Sequence, residues 1–152
     1  MIFRFADHHD LENLIDLRLD FFKESFANRP ALEPIVDNIR YYLKEHLGKD
    51  CLAIIAQDGD LVAATAFLLV FHRPPNPTMP NGRVGEICNV MTRPAYRRQG
   101  LALEMTRKLI DEGRRLGLTR LDLAASPAGR KVYEKLGFLE PEDHTYMYLP
   151  LT

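Results

Sequence analysis

One stretch of the sequence limits the fold more than any other: a β-prone segment is followed, after a short basic turn, by a long amphipathic helix. Arg83–Thr92 has the composition of a strand, which Arg93 and Pro94 end. From Gly100 to Gly117, apolar residues recur at helical spacing, and Gly117 supplies a left-handed stop. Opposite charges four residues apart are expected to pair on the surface of this helix: Glu104 with Lys108, and Asp111 with Arg115.

The rest of the chain alternates helix and strand signals around this unit. The order predicts a mixed α/β (α+β) fold with a mostly antiparallel twisted sheet flanked by helices. The first half is predicted to contain a strand in Met1–Phe5, a helix that begins at a capping-box-like Asp7 and Asp10 and ends at Ala27–Pro30, and a second helix from Pro34 to Gly48. Strands Cys51–Ala56 and Leu61–Phe71 follow, joined by a hairpin turn at Asp58-Gly59, and then an exposed Pro-rich loop at Arg73–Gly82. The last part is predicted to contain a strand at Leu121–Ala124, a helix at Ala128–Leu136 and a final hairpin of Phe138 with Tyr146–Leu149.

Composition narrows the class of protein. A length of 152 residues predicts a single domain, residues 1–152. Twenty basic and 21 acidic residues give a net charge of -1, so no bulk basic field for nucleic acid is expected. Two cysteines without a CxxC pattern predict neither a disulfide framework nor a metal site, and favour a cytoplasmic setting. No apolar run approaches the roughly 20 residues that span a bilayer, and Met1–Arg4 does not open a signal peptide, so no membrane partner is expected.

The turn Arg97–Ala102 has the character of a phosphate cradle. It lies where a helix begins, and there the first amide N–H groups lack partners and carry partial positive charge. A glycine lets the backbone approach an anion closely, and two arginines add charge. A basic loop that only caps the helix is the alternative. A P-loop nucleotidase and a dinucleotide fold are disfavoured, because neither GxxxxGK[ST] nor GxGxxG occurs.

Two motifs resemble those of the GCN5-related N-acetyltransferase (GNAT) superfamily. Val90–Ala102 is similar to motif A, whose pattern [R/Q]-x-x-G-x-[G/A] is matched by Arg97, Gly100 and Ala102. Ala128–Phe138 is similar to motif B, which often ends in Y-x-x-x-G-F. The resemblance implies splayed central strands that bind acetyl-CoA. It also implies transfer of the acetyl group to a primary amine, of a small molecule or a peptide, by direct attack through a tetrahedral intermediate.

The resemblance also implies which residues contact acetyl-CoA. Loop amides from Arg98 to Ala102 would hold the pyrophosphate, and the Val90 N–H would face the thioester carbonyl as an oxyanion donor. Ser126 stands where motif B members often have Asn. The full set implied to contact the cofactor is Val90, Met91, Thr92, Arg97, Arg98, Gln99, Gly100, Leu101, Ala102, Ser126, Arg130 and Tyr133.

Two further residues are catalytic candidates beside Val90. Tyr133 matches the family tyrosine that protonates the leaving thiolate, although a packing role is the alternative. Glu86 lies fourteen positions before Gly100, the offset of a catalytic glutamate in histone-acetylating members; it is either the base for an ammonium substrate or a rim residue that pairs with a neighbour. Alternation predicts Glu86, Cys88 and Val90 on one face of the strand. Cys88 itself is expected to be an inert small hydrophobe.

The leading hypothesis is therefore an acetyl-CoA-dependent N-acetyltransferase. An acyl-CoA-binding sensor without turnover is the alternative, and a nucleic-acid-binding domain is disfavoured by the charge balance. The acceptor pocket is expected between the first two helices, the Arg73–Gly82 loop and the final hairpin. The identity of the amine, and whether the chain forms a homodimer, stay open at this level.

Overall fold

A computed structural model describes residues 1–26 and 31–152, and in this part of the chain a five-stranded sheet carries helices on both faces. The predicted helix end at Ala27–Pro30 lies outside the described residues. Short 3-10 turns at His8–Asp10 and Pro94–Tyr96 accompany the main elements. These are β1 (Ile2–Phe5), α1 (Leu11–Ser25), α2 (Glu33–His46), β2 (Cys51–Asp58), β3 (Leu61–His72), β4 (Arg83–Thr92), α3 (Leu101–Arg115), β5 (Arg120–Leu123) and α4 (Arg130–Lys135).

The sheet has the order β1-β2-β3-β4-β5. All neighbouring pairs are antiparallel except β4 and β5, which are parallel because α3 crosses between them. The β2–β3 turn uses Gly59 at φ +58°, a left-handed conformation that glycine adopts without steric cost. The predicted mixed α/β class with a mostly antiparallel sheet is confirmed.

Each face of the sheet has its own apolar core. On one face, α1 and α2 bury Leu14, Leu17 and Leu43 against the strands. On the other face, Met105 and Leu109 of α3 are completely buried. The two cores fix α1 and α3 on opposite sides of the central strand β4. Within the described residues, no helix combines the length and the apolar character needed to cross a bilayer.

The predicted capping box lies at the entrance to α1. Asp7 accepts a hydrogen bond from the His9 N–H at 2.8 Å, and Asp10 accepts one from the Asp7 N–H at 2.9 Å. Arg4 of β1 donates to both Asp10 oxygens at 2.7 Å. The Arg4 guanidinium therefore lowers the pKa of Asp10, whose side chain is only 6% exposed. One carboxylate thus joins β1 to the helix start.

The charge pairs on α3 differ in part from the prediction. Glu104 and Lys108 do lie 3.6 Å apart. The predicted pair of Asp111 with Arg115 is wrong, because each partner reaches a residue three positions away instead. Arg114 donates to Asp111 at 2.9 Å, and Arg115 donates to both oxygens of Glu112 at 2.5 and 2.7 Å. Arg114 and Arg115 therefore pair with acids three residues before them, rather than four. The two hydrogen bonds between Arg115 and Glu112 make that spacing the more favourable one.

The predicted final hairpin is absent. Phe138 is half-buried, but no strand is formed after Lys135, and residues 139–152 are exposed throughout. Tyr146 and Tyr148 are 85% and 80% exposed. Their β-prone composition alone does not make a strand, because a strand needs a partner whose backbone groups it can pair with. We call residues 145–152 the C-terminal tail.

Asp10→Asn tests the contribution of the Arg4 ion pair to stability. At pH 7 the variant is expected to unfold with a free energy lower by roughly 1.5–3 kcal/mol, the usual contribution of hydrogen bonds to a charged group. The folded-state pKa of Asp10 lies below its unfolded value, so the native contribution is present above about pH 4 and is lost as pH falls through the lower value. Urea unfolding at pH 7 and at pH 3 measures this. An equal difference at both values would contradict it.

Candidate functional site

The central feature of the site is a bulge in β4. Thr65 of β3 pairs with Met91 and Phe67 pairs with Cys88, so three steps along β4 match two along β3. Asn89, at this extra step, has φ +50°. A bulge with a left-handed residue reverses the side-chain alternation. Consequently Cys88 packs on the α1/α2 face, whereas Val90 packs on the α3 face. The prediction that Glu86, Cys88 and Val90 share one face is therefore wrong for Val90.

Beyond the bulge β4 separates from β5. The parallel pairing runs from Val84 with Arg120 to Ile87 with Leu123 and ends there. On the β5 side, the backbone from residue 88 to residue 92 has no partner strand among the described residues. We call the gap between β4 and β5 beyond the last paired residues, Ile87 and Leu123, the cleft. Met91 is buried in the α1/α2-side core, so it has only backbone to offer a ligand there.

The cleft leads to the left-handed turn before α3. Arg98 has φ +61° and Gly100 has φ +79°, so the backbone bends twice within three residues. A Cβ added to Gly100 would meet nothing within 4 Å. Gly100 is the N-cap of α3, and no side chain caps the helix. The first N–H groups of α3 are therefore available at the positive end of the helix dipole, which favours an anion.

The two arginines of the turn have different surroundings. Arg97 donates through Nε to the Thr92 carbonyl at 3.0 Å and forms a 2.5 Å ion pair with Glu24 of α1. Arg97 therefore holds the turn in place. The Arg98 side chain forms no ion pair or hydrogen bond within residues 1–26 and 31–152, and it is exposed. Arg98 is thus the arginine of the turn whose charge is available to a ligand.

Three remaining residues of the turn contribute mainly backbone. Gln99 is exposed, and its side chain lies 3.5 Å from the Ala95 carbonyl. Leu101 is buried against the α3-side core. The Ala102 carbonyl accepts a 2.8 Å hydrogen bond from the Thr106 hydroxyl. The small Ala102 side chain leaves the helix start uncrowded.

The segment after β5 places the second motif beside the same cleft, because β4 and β5 run parallel and both end there. The Ser126 hydroxyl accepts a 3.1 Å hydrogen bond from the Gly129 N–H, so it closes the turn that precedes α4. Arg130 donates to Glu134 at 2.7 Å and to Glu140 at 3.0 Å. Ser126 and Arg130 therefore already have partners within this segment.

Tyr133 lies inside this segment with its ring half-buried. Its ring packs edge-on against Phe138 at a centroid distance of 6.0 Å. A Cβ on Gly129 would come within 3.1 Å of the Tyr133 ring, so glycine lets the ring lie close to the backbone. Burial raises the pKa of Tyr133 above its usual value, and the hydroxyl therefore stays protonated at neutral pH. A protonated hydroxyl with few water contacts can act as a proton donor.

Glu86 is half-buried on β4, between Leu69 of β3 and Asp122 of β5. This is an interior strand, and Glu86 forms no ion pair within the described residues, which disfavours the rim-pair alternative. Burial, with the Glu86 charge nearby, raises the pKa of Cys88 to about 12. The thiol is therefore protonated and suited to packing rather than attack. Glu86 lies on the α1/α2 side of the sheet.

A polar contact that sequence reasoning missed supports the bulge. Arg18 of α1 donates to Asn89 Oδ1 at 3.1 Å and stacks over the Phe22 ring at 4.7 Å. Asn89 is 4% exposed, and its Nδ2 has no hydrogen-bond partner among the described residues. Two features of the sequence could have indicated this contact: Arg18 occupies a core-facing position of α1, and Asn89 directly precedes Val90.

The described residues hold one group of three side chains that could share a metal ion: Asp7, His8 and His9, all exposed. Asp7 already caps the 3-10 turn before α1. The expectation of no metal stays a prediction.

Comparison with known proteins agrees with this geometry. The family model described as "Acetyltransferase (GNAT) family" matches residues 11–138. A predicted acetyltransferase from Clostridium acetobutylicum, solved with acetyl-CoA, is 28% identical with a TM-score of 0.85, over 97% of this chain and 95% of the other. None of the curated proteins matches the sequence significantly.

More distant structures share the fold. A GCN5-related N-acetyltransferase from Ralstonia eutropha is 22% identical with a TM-score of 0.85, over 97% of each chain. Glucosamine-6-phosphate N-acetyltransferase from Arabidopsis thaliana is 17% identical with a TM-score of 0.69, over 99% of this chain and 100% of the other. At such identities the likeness concerns the fold alone.

Arg18→Met tests the support of the bulge. The variant leaves the buried Asn89 carboxamide without its donor, so the free energy of unfolding is expected to fall by about 1–3 kcal/mol. Arg40→Met is a matched control, because Arg40 pairs with an exposed Glu12 on the helix surface and such pairs contribute about 0–1 kcal/mol. Urea unfolding measures both. Equal losses would show that Arg18 is an ordinary surface arginine.

Proposed function

The chain belongs to the acetyltransferase (GNAT) family, and from this premise we propose that it is an N-acetyltransferase that moves the acetyl group of acetyl-CoA to a primary amine. The observation that carries the proposal is the uncapped start of α3, behind a left-handed turn and in line with the cleft between β4 and β5. An elongated ligand with a charged diphosphate at one end and a thioester at the other suits both features.

The turn would hold the diphosphate of the cofactor. N–H groups from Arg98 to Ala102 would donate to its oxygens, and the Arg98 side chain would add a positive charge. Arg97, fixed to Thr92 and Glu24, would act by keeping the turn in shape. Bound acetyl-CoA supplies the activated acyl group.

The unpaired edge of β4 would hold the pantetheine arm and the thioester. Val90 and Thr92 belong to the stretch of β4 that has no partner strand on the β5 side, and their free backbone groups would bind the ligand there. The Val90 N–H would donate to the acyl oxygen as negative charge develops on it. The bulge at Asn89 is what directs this part of the backbone, so Arg18 and Asn89 act as positioning residues.

Glu86 would accept the proton that an ammonium substrate must lose before its nitrogen can attack. A carboxylate on an interior strand, without an ion-pair partner among the described residues, is free for this role directly or through water. The nitrogen would then form a bond to the acyl carbon, and the carbonyl electron pair would move to the oxygen to give a tetrahedral intermediate. Loss of the second N–H proton to water and re-formation of the carbonyl would break the C–S bond. Tyr133 would give its hydroxyl proton to the departing sulfur, and its raised pKa keeps that proton available at neutral pH.

The acceptor would enter from the α1/α2 side, where Glu86 lies. This differs from the sequence expectation in one part: residues 136–152, which the structure describes, form no final hairpin that could be a wall of that pocket. The Arg73–Gly82 loop remains a candidate wall; within it, Asn76 accepts hydrogen bonds from the Thr78 and Met79 backbone N–H groups. The acceptor class proposed is a primary amine, and the alternative function is an acyl-CoA sensor without turnover.

Gly100→Ala tests the diphosphate site. Alanine at φ +79° costs about 1–2 kcal/mol of backbone strain and shifts the amides of the turn, so we expect CoA affinity to fall at least about tenfold. Gly48→Ala is a closely matched control, since Gly48 has the same φ and equally open surroundings. It should lose similar stability and keep CoA affinity. Titration calorimetry with CoA measures both, and equal affinities in the two variants would contradict the site.

Tyr133→Phe and Glu86→Gln test turnover. Each variant is expected to lower kcat about 10²–10⁴-fold with CoA affinity unchanged, the range for loss of a general acid or base. Release of free thiol from acetyl-CoA in the presence of a panel of primary amines measures kcat. Because burial raises the pKa of Tyr133, ionisation of this hydroxyl should not lower the native rate between pH 7 and about pH 9. Tight CoA binding without thiol release for any amine would favour the sensor.

A further inference from the structure

One arginine on the α1/α2 side of the sheet lacks an acidic partner. Arg18 of α1 is half-buried, yet it forms no ion pair within residues 1–26 and 31–152. Residues 27–30 contain no acidic side chain that could pair with it. Burying part of a charge is unfavourable unless a group of opposite charge compensates for it. Arg18 therefore has the character of a binding group for an anion.

The neighbours of Arg18 on α1 do not neutralise it. The residues three and four positions away along the helix are Leu14, Ile15, Phe21 and Phe22, and all four are apolar. The guanidinium stacks over the Phe22 ring at 4.7 Å, which fixes its plane. Electrostatic attraction is stronger beside such apolar groups than in open water. A carboxylate would therefore be bound more strongly here than at an ordinary surface arginine.

Asn89 adds a second donor beside the guanidinium. Its Oδ1 accepts the hydrogen bond from Arg18 Nη1 at 3.1 Å, so the carboxamide cannot turn round without bringing two donors together. Its Nδ2 is the one buried side-chain nitrogen or oxygen without a hydrogen-bond partner in the part of the chain that the structure describes. Buried donors nearly always have an acceptor. Adjacent unused donors on Arg18 and Asn89 thus point to a ligand that brings acceptor oxygens.

The Arg18 charge lies near the charge of Glu86. Burial and the Glu86 charge raise the pKa of Cys88 to about 12, whereas the Arg18 charge lowers it, so both charges lie near this thiol. The two do not form an ion pair with each other. Along β4, Glu86 and Asn89 are three residues and therefore at most about 10 Å apart. A negative and a positive group thus lie on one side of the sheet, both half-buried and neither neutralised by the other.

We propose that the acceptor is an α-amino acid, whose amino group approaches Glu86 while its carboxylate accepts hydrogen bonds from the Arg18 guanidinium. This inference rests on the proposed function and narrows its acceptor from any primary amine to one that also carries a carboxylate. A guanidinium donates two parallel hydrogen bonds to a carboxylate, which suits the fixed plane of Arg18. The amino group and the carboxylate of an α-amino acid are attached to one carbon atom, so a single small molecule can reach both groups.

An amine without the carboxylate would be a poorer substrate for a physical reason. On binding it would cover Arg18 from water without supplying an acceptor, and a charge left unpaired in this way opposes binding. The bonds that change are those of the proposed function: a C–N bond forms and the C–S bond breaks. The ammonium group gives one proton to Glu86 and one to water, and the thiolate takes one from Tyr133. The products would be an N-acetylamino acid and CoA, and Arg18 would determine specificity without taking part in these steps.

Thiol release from acetyl-CoA with matched acceptors tests the inference. The standard L-amino acids are each supplied to the full chain as the free acid and as the α-carboxamide, which keeps the amine and the size but removes the negative charge. For the preferred side chain, kcat/KM for the free acid is expected to exceed that for the carboxamide about 10–100-fold, the range for hydrogen bonds to a charged group. A carboxamide acetylated as fast as its free acid, or faster, overturns the inference. This comparison needs no variant to fold.

Arg18→Met is expected to bring the ratio of the two kcat/KM values to about one, mainly by raising KM for the free acid. A weaker bulge would lower both values alike and leave their ratio unchanged, so the ratio separates acceptor binding from support of the fold. Arg18→Lys keeps the charge and should keep part of the preference. Arg83→Met is the matched control, because Arg83 is also half-buried without an ion pair among the described residues, but lies at the other end of β4. A native ratio in Arg18→Met, or an equal loss in Arg83→Met, contradicts the role of Arg18.

Titration calorimetry of the same amino acids into the protein saturated with CoA distinguishes this inference from the proposed function. Amino-acid binding that Arg18→Met weakens at least about tenfold, without any thiol release, would contradict the proposed acetyl transfer and support the carboxylate site. Thiol release with no preference for the carboxylate would contradict the carboxylate site alone. Neither binding nor thiol release with any of these amino acids would contradict both.

Discussion

The left-handed residue at the β4 bulge is the constraint on which the rest of the site depends. Without the extra residue, β4 would keep one side-chain alternation along its length, and Val90 would share the sheet face of Cys88. With it, Val90 turns its side chain to the α3 face and its strand edge toward the opening. Asn89 tolerates the required conformation better than most residues do. Arg18 holds it from the opposite helix, so a single hydrogen bond links α1 to the geometry of the cleft.

Much of the fold was accessible from the sequence because its signals are local. Strand β4 has the predicted bounds and helix α3 agrees with the prediction within two residues, since Pro94, Gly100 and Gly117 are residues that end strands and helices. The bulge was not accessible, because it depends on pairing between Thr65 and Met91, far apart in sequence. The prediction of a final hairpin was wrong for a related reason: Tyr146 and Tyr148 are β-prone, but composition does not show whether a partner strand lies beside them.

In the candidate site too, the backbone conformation of a motif could be predicted from the sequence, whereas the contacts of its side chains could not. Gly100 lies at the start of α3, as the motif predicts, because its left-handed φ of +79° favours glycine at that position. Side-chain roles are different, because they depend on neighbours brought together by the fold. Arg97 and Arg98 are adjacent and chemically identical, yet one is bound to Glu24 and the other faces solvent. Ser126 and Arg130 likewise have partners that no spacing rule predicts. In such cases the sequence identifies the segment, and only the structure shows which of its side chains are already paired and which are free to bind a ligand.

The ion pair between Arg97 and Glu24 has a consequence for how the two proposed substrates affect each other's binding. Helix α1 carries Arg18 toward the bulge and Glu24 toward the turn, so it contacts both ends of the proposed acetyl-CoA site. A displacement of α1 by an incoming acceptor would be transmitted to the amides that are proposed to hold the diphosphate. Thermodynamic linkage makes such an influence mutual: acetyl-CoA would alter acceptor affinity by the same factor. The affinities for the two proposed substrates are therefore expected to depend on one another through α1.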